Sequence, residues 1–458
     1  MKITDVKPFV VYAPERGRNF TFVKIYTDEG LTGLGEAGIN GKEESVSGLV
    51  ETYRRVLVGM DPSRIEHIWQ TLWRGQFFRG GHIHAATVAA IDIALWDLRG
   101  KALGVPVYDL LGGKTRDYAR CYFHVQQRRA AGQDGLDSID AMVDYAKEQV
   151  AAGWRFIRYG AGEGSSGERE GVYEQAKAMQ WTVDAFAALR EALGPEIEIC
   201  VDFHQRTTPT YAIQIAKALE PMRPFFIEDP IRAENASLFG YLRQHISAPI
   251  ATGEQLSSKW DWQVLIEQDL MDYCRIDLCI CGGLTEAKKV AGWCETHYIE
   301  QAPHNPLGPV STAACLHFDL STPLFAVQEL VWRPDVIPNI VQTDMRLEGG
   351  NLYSGGSPGL GVELDEEAAL AHRIRAARRV CLDYTGPGIG LGDYLVRDHG
   401  EYDPAKHRFG KVQLCTFTAG FKREIFPKLR RAFEAPTRLR VPVEVEVRED
   451  LHEMQQIV

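Results

Sequence analysis

The sequence predicts an α/β protein in which an α+β unit leads into a TIM-like (β/α) barrel, and three observations carry that expectation. Asp202, Glu228, Glu254, Asp277, His304 and Glu329 follow one another at steps of 26, 26, 23, 27 and 25 residues, each closing a short apolar run such as "PFFIEDP" or "LFAVQE". Helix-period stretches such as "YAIQIAKALEPM" and "LTEAKKVAGWCETHY" fill the intervals. The 458 residues exceed one ordinary domain but fit a barrel of about 250 residues with additions. One β/α unit per step is the simplest account, and a barrel of such units gathers the polar strand ends around one mouth.

Taken in order, residues 1–118 form the α+β unit. "FTFVKIYTDEGLTGLGEA" reads as a hairpin turned at Asp28-Glu29-Gly30, followed by helical periods at 43–58, 62–76 and 84–103. The barrel then spans 119–330. Its first strand is expected near "YARCYFHV" and its second in "GWRFIRYG", ending at Arg158. From Arg158 to Asp202 there are 44 residues rather than about 26, and the excess contains "GAGEGSSGEREG". That insertion, Gly160 to Gly171, is expected to be a mobile lid over the mouth. Residues 331–370 form a Gly-rich return segment, and 371–458 an extension of unassigned role.

The extension carries 16 Lys and Arg against 12 Asp and Glu, whereas residues 1–370 carry 35 against 50. Such asymmetry suggests that the tail meets an acidic surface of its own or a neighbouring subunit, and a homo-oligomer is expected. Its "TGPGIGLGD" lacks the flanking strand and helix of a phosphate loop and reads as a turn, and "FKREIFPKLRRAF" as a solvated or subunit-facing helix.

Composition narrows the function. Apolar residues make up 45% and charged residues 25%, as in ordinary globular proteins. No stretch approaches the ~18 apolar residues of a membrane span, and the first residues lack a secretory pattern, so a cytoplasmic enzyme without a membrane partner is expected. A net charge of −11 argues against a nucleic-acid partner. Nine cysteines are spread without a C-x-x-C pair and read as reduced core residues rather than as ligands.

Carboxylates at three successive strand ends repel one another and lose solvation, which a divalent cation offsets. Taken singly, each could be a helix cap or a solvated loop residue. As a periodic trio, Asp202, Glu228 and Glu254 are expected to be metal ligands, and an all-oxygen set suits Mg2+ better than Zn2+.

With these residues in view, the chain resembles the enolase superfamily, in the mandelate racemase branch and its galactonate and mannonate dehydratase members. The resemblance covers roughly residues 1–365 and rests on "AAIDIALWDLRGKALGVPVYDLLGG", "VDFHQR", "FFIEDP", "TGEQ", "IDLCICGGLTEA", "APHNPLGP" and "VQE", in that order. It implies a modified (β/α)7β barrel beneath a capping domain, which is built from residues 1–118 with the return segment packing on it. It also implies Mg2+ on Asp202, Glu228 and Glu254.

The resemblance further implies abstraction of the proton α to a carboxylate. Many members use a Lys at the second strand for this, but Arg158 stands there and arginine cannot be deprotonated. His304 is the expected base, with Asp277 fixing its tautomer. His204, two residues past Asp202, would lie on the same side of a continuing strand and help a 3-hydroxyl depart. Glu329 would hydrogen-bond the substrate carboxylate or enediolate in its protonated form. Arg158, Arg206 and Asn305 are candidate substrate contacts, the last two also being possible loop braces. Tyr159 and Tyr173 are the available equivalents of a loop tyrosine that partners such an arginine in mannonate dehydratases.

The resulting expectation is a Mg2+-dependent dehydratase that takes a small-molecule sugar acid, an aldonate, to its 2-keto-3-deoxy product. A racemase or epimerase of the same branch would retain the mass of its substrate, and a noncatalytic regulatory homologue would show no turnover with Mg2+. A metal-dependent hydrolase would show a His-rich ligand set.

Overall fold

The computed structural model describes residues 1–13, 18–125, 138–162, 174–331 and 340–372, with short strand pieces at 380–383, 402–403, 408–409 and 412–415. Strands β1 (Ile3–Ala13), β2 (Arg18–Thr27) and β3 (Thr32–Ala37) make an antiparallel sheet. The turn between β2 and β3 needs Gly30, at φ 81°. Helices α1 (Glu43–Leu57), α2 (Ile65–Arg74) and α3 (His82–Leu103) follow near the sequence-predicted periods. Helix α1 buries one stripe, Val46, Val50, Tyr53 and Leu57. Helix α3 is buried nearly all round, and the alanines of "HAATVAAIDIAL" let β3 approach closely. A Cβ on Gly33 or Gly35 would stand 2.0 or 1.9 Å from the Ala94 or Ala90 carbonyl oxygen, so only glycine fits at either position.

Eight parallel strands form the second layer: β4 (Ala119–His124), β5 (Phe156–Gly160), β6 (Glu198–Asp202), β7 (Phe226–Glu228), β8 (Ile250–Thr252), β9 (Tyr273–Cys274), β10 (Glu300–Gln301) and β11 (Gln328–Glu329). They pair in chain order from β4 to β10, and β11 pairs with β4. A Gln301–Phe325 bridge and the bond from Ala326 N to Gln301 O join β10 to the approach to β11. The strands thus meet around a ring, and an α-helix follows each of the first seven among the described residues. Strand β5 runs two residues past its expected end at Arg158, to Gly160.

Inside the ring, Tyr122, Phe156, Cys200, Phe226, Ala251, Ala302 and Val327 pack as one cluster. Strand side chains alternate, so a residue two positions further on faces the same interior one layer higher. Those residues are His124, Arg158, Asp202, Glu228, Gly253, His304 and Glu329, all but the glycine polar. An apolar floor therefore supports a polar layer.

The first unit is pinned to the barrel by buried polar contacts. Glu36 of β3 accepts from Gly308 N at 2.7 Å and Ser311 N at 2.9 Å, capping the helix Pro309–Leu320. Asp92 of α3 accepts from Thr285 N and Oγ1 at 3.0 and 2.5 Å, and Trp69 Nε1 donates to Gly282 O at 2.8 Å. The return segment contributes β12 (Val341–Thr343), β13 (Arg346–Glu348), β14 (Asn351–Tyr353) and β15 (Val362–Leu364). It touches both units: Leu360 N donates to Asp97 of α3, whereas β14 pairs antiparallel with barrel strand β4.

Met1–Leu370 is one compact unit and Ala371–Val458 another. In the second, Val380–Asp383 pairs in parallel with Val412–Cys415, and Tyr402–Asp403 pairs antiparallel with Arg408–Phe409. "TGPGIGLGD", "FKREIFPKLRRAF" and nearly all of the expected lid lie outside the described residues. No described helix is long and apolar enough to cross a membrane. The seven cysteines of Met1–Leu370 are buried and form no disulfide.

Candidate active site

Asp202 and Glu228 are register partners across β6 and β7, so their side chains stand side by side. Glu254 lies two residues beyond β8, where Gly253 at φ 133° turns the chain. Asp277 and His304 each lie three residues beyond their strands, and Glu329 ends β11. The six periodic residues do converge on one end of the barrel.

His204 reaches the site by a different route from the one expected. Strand β6 stops at Asp202, and the next turn is left-handed at His204 (φ 47°) and Gln205 (φ 59°), a sparsely populated conformation for these residues. His204 N donates to Asp202 Oδ1 at 2.7 Å, and the turn brings His204 Nε2 to 2.7 Å from Asp202 Oδ2. His204 thus stands at one end of the carboxylate row.

His304 stands at the other end. Its Nδ1 is 2.8 Å from Asp277 Oδ2, while its Nε2 faces Glu254 Oε2 at 3.3 Å and Glu329 Oε2 at 3.9 Å. Asp277 is itself held by Cys279 N at 2.8 Å. Burial opposes a charge on the imidazole, but Glu254, Glu329 and Asp277 outweigh it and raise the His304 pKa to about 9. The Nδ1–H to Asp277 contact leaves Nε2 as the nitrogen that can exchange a proton at the mouth.

Glu329 differs from the expected protonated donor. Its Oε2 accepts from Arg275 Nη2 at 2.9 Å and from Asn305 N at 3.0 Å, and its Oε1 faces His124 Nε2 at 2.8 Å. Burial would raise its pKa, but His304, His124 and Arg275 hold it well below the usual carboxylate range. Surrounded by donors, Glu329 is an ionised acceptor. Asn305 braces the end of the last strand: it is fully buried and its Nδ2 donates to Thr312 Oγ1 and Glu329 O. Arg206 is half-buried just past the His204 turn, its N–H donating to Phe203 O. Tyr159 is turned away from the mouth: it is buried against Trp181 and Phe186, and its hydroxyl donates to Thr182 O at 2.7 Å. Tyr173 lies outside the described residues.

Arg158 sits within the site. It ion-pairs with Asp202, its Nε is 3.6 Å from Glu228 Oε2, and its Nη1 donates to His124 Nδ1 at 2.8 Å. Because His124 Nδ1 accepts, its proton is on Nε2, toward Glu329; burial and then Arg158 lower its pKa to about 4, so the ring is neutral.

Two site residues escaped the sequence reading. His124 closes the first strand as the periodic six close theirs, and the same rule extended to "YARCYFHV" would have found it. Arg275 is a charge inside the apolar run "DYCRIDL"; fully buried, it binds Glu228 Oε1 at 2.6 Å, Glu329 and the Tyr122 hydroxyl at 2.7 Å, and donates to the Ala302 and Pro303 carbonyls. An arginine in a barrel strand demands several acceptors, and that demand was the available signal.

Among the described residues, no three His, Cys, Asp or Glu groups stand close enough to hold a metal as they are. Their chemistry nevertheless fits one. Asp202 Oδ2, Glu228 Oε2 and Glu254 Oε2 are buried oxygens that accept no hydrogen bond, their charges met by ion pairs with Arg158, His204 and His304. Three such carboxylate oxygens on neighbouring strands form the hard donor set that Mg2+ takes.

Comparison with known proteins covers most of the chain. Residues 5–112 match the mandelate racemase/muconate lactonizing enzyme N-terminal domain, and residues 141–368 match the enolase C-terminal domain-like family. A D-galactonate dehydratase of Ralstonia nicotianae is 39% identical over 82% of this chain and 95% of its own. A D-mannonate dehydratase of Caulobacter vibrioides is 36% identical over 82% and 96%. The crystal structure of an enolase from Pantoea ananatis with bound D-gluconate and Mg superposes with a TM-score of 0.74 at 33% identity, covering 81% of this chain and 94% of that one.

Proposed function

The chain belongs to the mandelate racemase/muconate lactonizing enzyme family of the enolase superfamily, and from that premise we propose that it is a sugar acid dehydratase, a Mg2+-dependent hydro-lyase acting on an aldonate. The observation that carries the reading is the placement of two histidines at the two ends of one carboxylate row, His204 against Asp202 and His304 against Glu254. Dehydration needs a base at C2 and an acid at C3, and this arrangement supplies both.

Asp202, Glu228 and Glu254 would hold Mg2+. Bound there, the ion would supply positive charge for the developing enediolate and cancel the carboxylate field that keeps His304 protonated. His304 Nε2 takes the C2 proton while Asp277 holds the Nδ1–H and stabilises the imidazolium. The C3–O bond breaks, and His204 gives the departing hydroxyl a proton so that water leaves. The enol formed takes up a proton at C3 to become the 2-keto-3-deoxy acid. Arg275 keeps Glu228 and Glu329 ionised and in place, and His124 orients Glu329 against Arg158.

A panel of aldonates incubated with the protein and Mg2+, assayed for 2-keto acid, tests the reading. It predicts product from at least one member and none after chelation. Recovery of every substrate unchanged, with the protein folded and Mg2+ bound, would contradict it.

A further inference from the structure

Asp202 Oδ2 and Glu228 Oε2 are neighbouring oxygens without hydrogen bonds on paired strand ends, and one guanidinium faces both. Arg158 ion-pairs with Asp202 Oδ2 and lies 3.6 Å from Glu228 Oε2. These are the oxygens that a divalent cation would use. Arginine keeps its charge at any pH compatible with folding, so it cannot give up this place by losing a proton. It has to move or compete.

We propose that Arg158 is an internal counter-cation that competes with the divalent metal for Asp202 and Glu228, so that it sets metal affinity and withdraws toward His124 when the metal binds. The proposal rests on the metal site proposed above. Without metal, two buried carboxylates one strand apart repel each other, and a cation between them lowers that cost. With metal, the guanidinium and the ion would share the same two oxygens at a separation where like charges repel strongly. A place for the displaced charge is already built: Arg158 Nη1 is 2.8 Å from His124 Nδ1, a buried acceptor whose other nitrogen lies 2.8 Å from Glu329 Oε1. Asp202 and Glu228 are themselves buried at strand ends and have little freedom to follow it. The movement thus falls to the arginine side chain, which would then turn within the mouth where a substrate carboxylate or hydroxyl is held.

The test is calorimetric titration of the full-length protein with Mg2+ alone, comparing the unaltered chain with Arg158→Gln and Arg158→Lys. Gln removes the charge and keeps a hydrogen-bond donor; Lys keeps the charge. Arg158→Gln is expected to bind Mg2+ at least about tenfold more tightly, and Arg158→Lys to stay within about threefold of the unaltered chain. Equal or weaker binding by folded Arg158→Gln would overturn the proposal while leaving the metal site standing. An unaltered chain that binds no Mg2+ would remove both. A second measurement avoids the variants altogether: crystal structures of the unaltered chain with and without Mg2+ should show the Arg158–Asp202 pair broken in the first and present in the second. An intact pair beside bound Mg2+ would overturn the proposal.

Discussion

His304 Nδ1 is 2.8 Å from Asp277 Oδ2, and that contact decides which nitrogen of the imidazole faces the mouth. An Asp277→Asn side chain can offer its amide N–H to the ring and favour the opposite tautomer, leaving Nε2 protonated and unable to accept. The variant should fold and bind Mg2+ as before, with kcat lowered about 10²–10⁴-fold. Single-turnover and steady-state kinetics with an active aldonate check this, and a kcat within twofold of the unaltered enzyme would show that the tautomer does not matter.

The two histidines should separate by the step they serve. His304→Asn is expected to abolish exchange of the substrate's C2 proton with solvent deuterium, whereas His204→Asn should keep that exchange and lose water release. Proton NMR of the substrate C2 signal distinguishes them. Native-rate exchange in His304→Asn would place the base elsewhere.

Glu228→Gln should reduce Mg2+ affinity by at least about tenfold and abolish turnover with little change in fold, because Arg275 keeps Glu329 as a partner and the barrel floor is apolar. Calorimetry on the folded variant reads this directly, and unchanged Mg2+ affinity would contradict the ligand assignment.

Stability should respond oppositely at two glycines. A Cβ on Gly35 meets the Ala90 carbonyl oxygen at 1.9 Å, backbone that cannot swing aside, so Gly35→Ala should cost about 1–3 kcal/mol or more. Gly48 lies in α1 with nothing within 4 Å of its Cβ position, and Gly48→Ala should stabilise by about 0.5–1 kcal/mol. Thermal denaturation of both, at one pH and Mg2+ concentration, reports the two signs.

Asp92 gives a pH dependence that lies away from the carboxylate row. Burial raises its pKa to about 7, against the bonds from Thr285 that lower it. A carboxyl whose folded pKa is raised binds its proton more strongly when folded, so its contribution is fully present below about pH 4 and is lost as pH rises through 7. Asp92→Asn should therefore lose less melting temperature between pH 5 and 8 than the unaltered chain does. Identical pH profiles would show that Asp92 is ionised when folded throughout that range.

Much of this was legible in the sequence because barrel geometry repeats. A 23- to 27-residue step with a polar residue after each apolar run put Asp202, Glu228, Glu254, Asp277, His304 and Glu329 at one mouth, and helix periods placed α1 to α3 to within a few residues. What a periodic pattern does not carry is the direction of a side chain after the strand stops. The left-handed turn at His204, the inward turn of Asn305 and the outward turn of Tyr159 are set by local backbone and packing partners. The ionised state of Glu329 depends on Arg275 and His124, which come from other strands. Such cross-strand partners are fixed by closure of the ring, and linear order does not encode which donors will surround one carboxylate.

The central claim is loss of water from an aldonate after removal of its C2 proton, and the most direct measurement is NMR and mass analysis of that reaction with Mg2+ in deuterated water. The account predicts a 2-keto-3-deoxy acid, 18 mass units lighter than the substrate before isotope incorporation, with solvent deuterium at C3. Recovery of an acid with the substrate's connectivity, its C2 hydrogen exchanged for deuterium or its configuration inverted and no 2-keto product formed, would contradict dehydration and mark the protein as a racemase or epimerase instead.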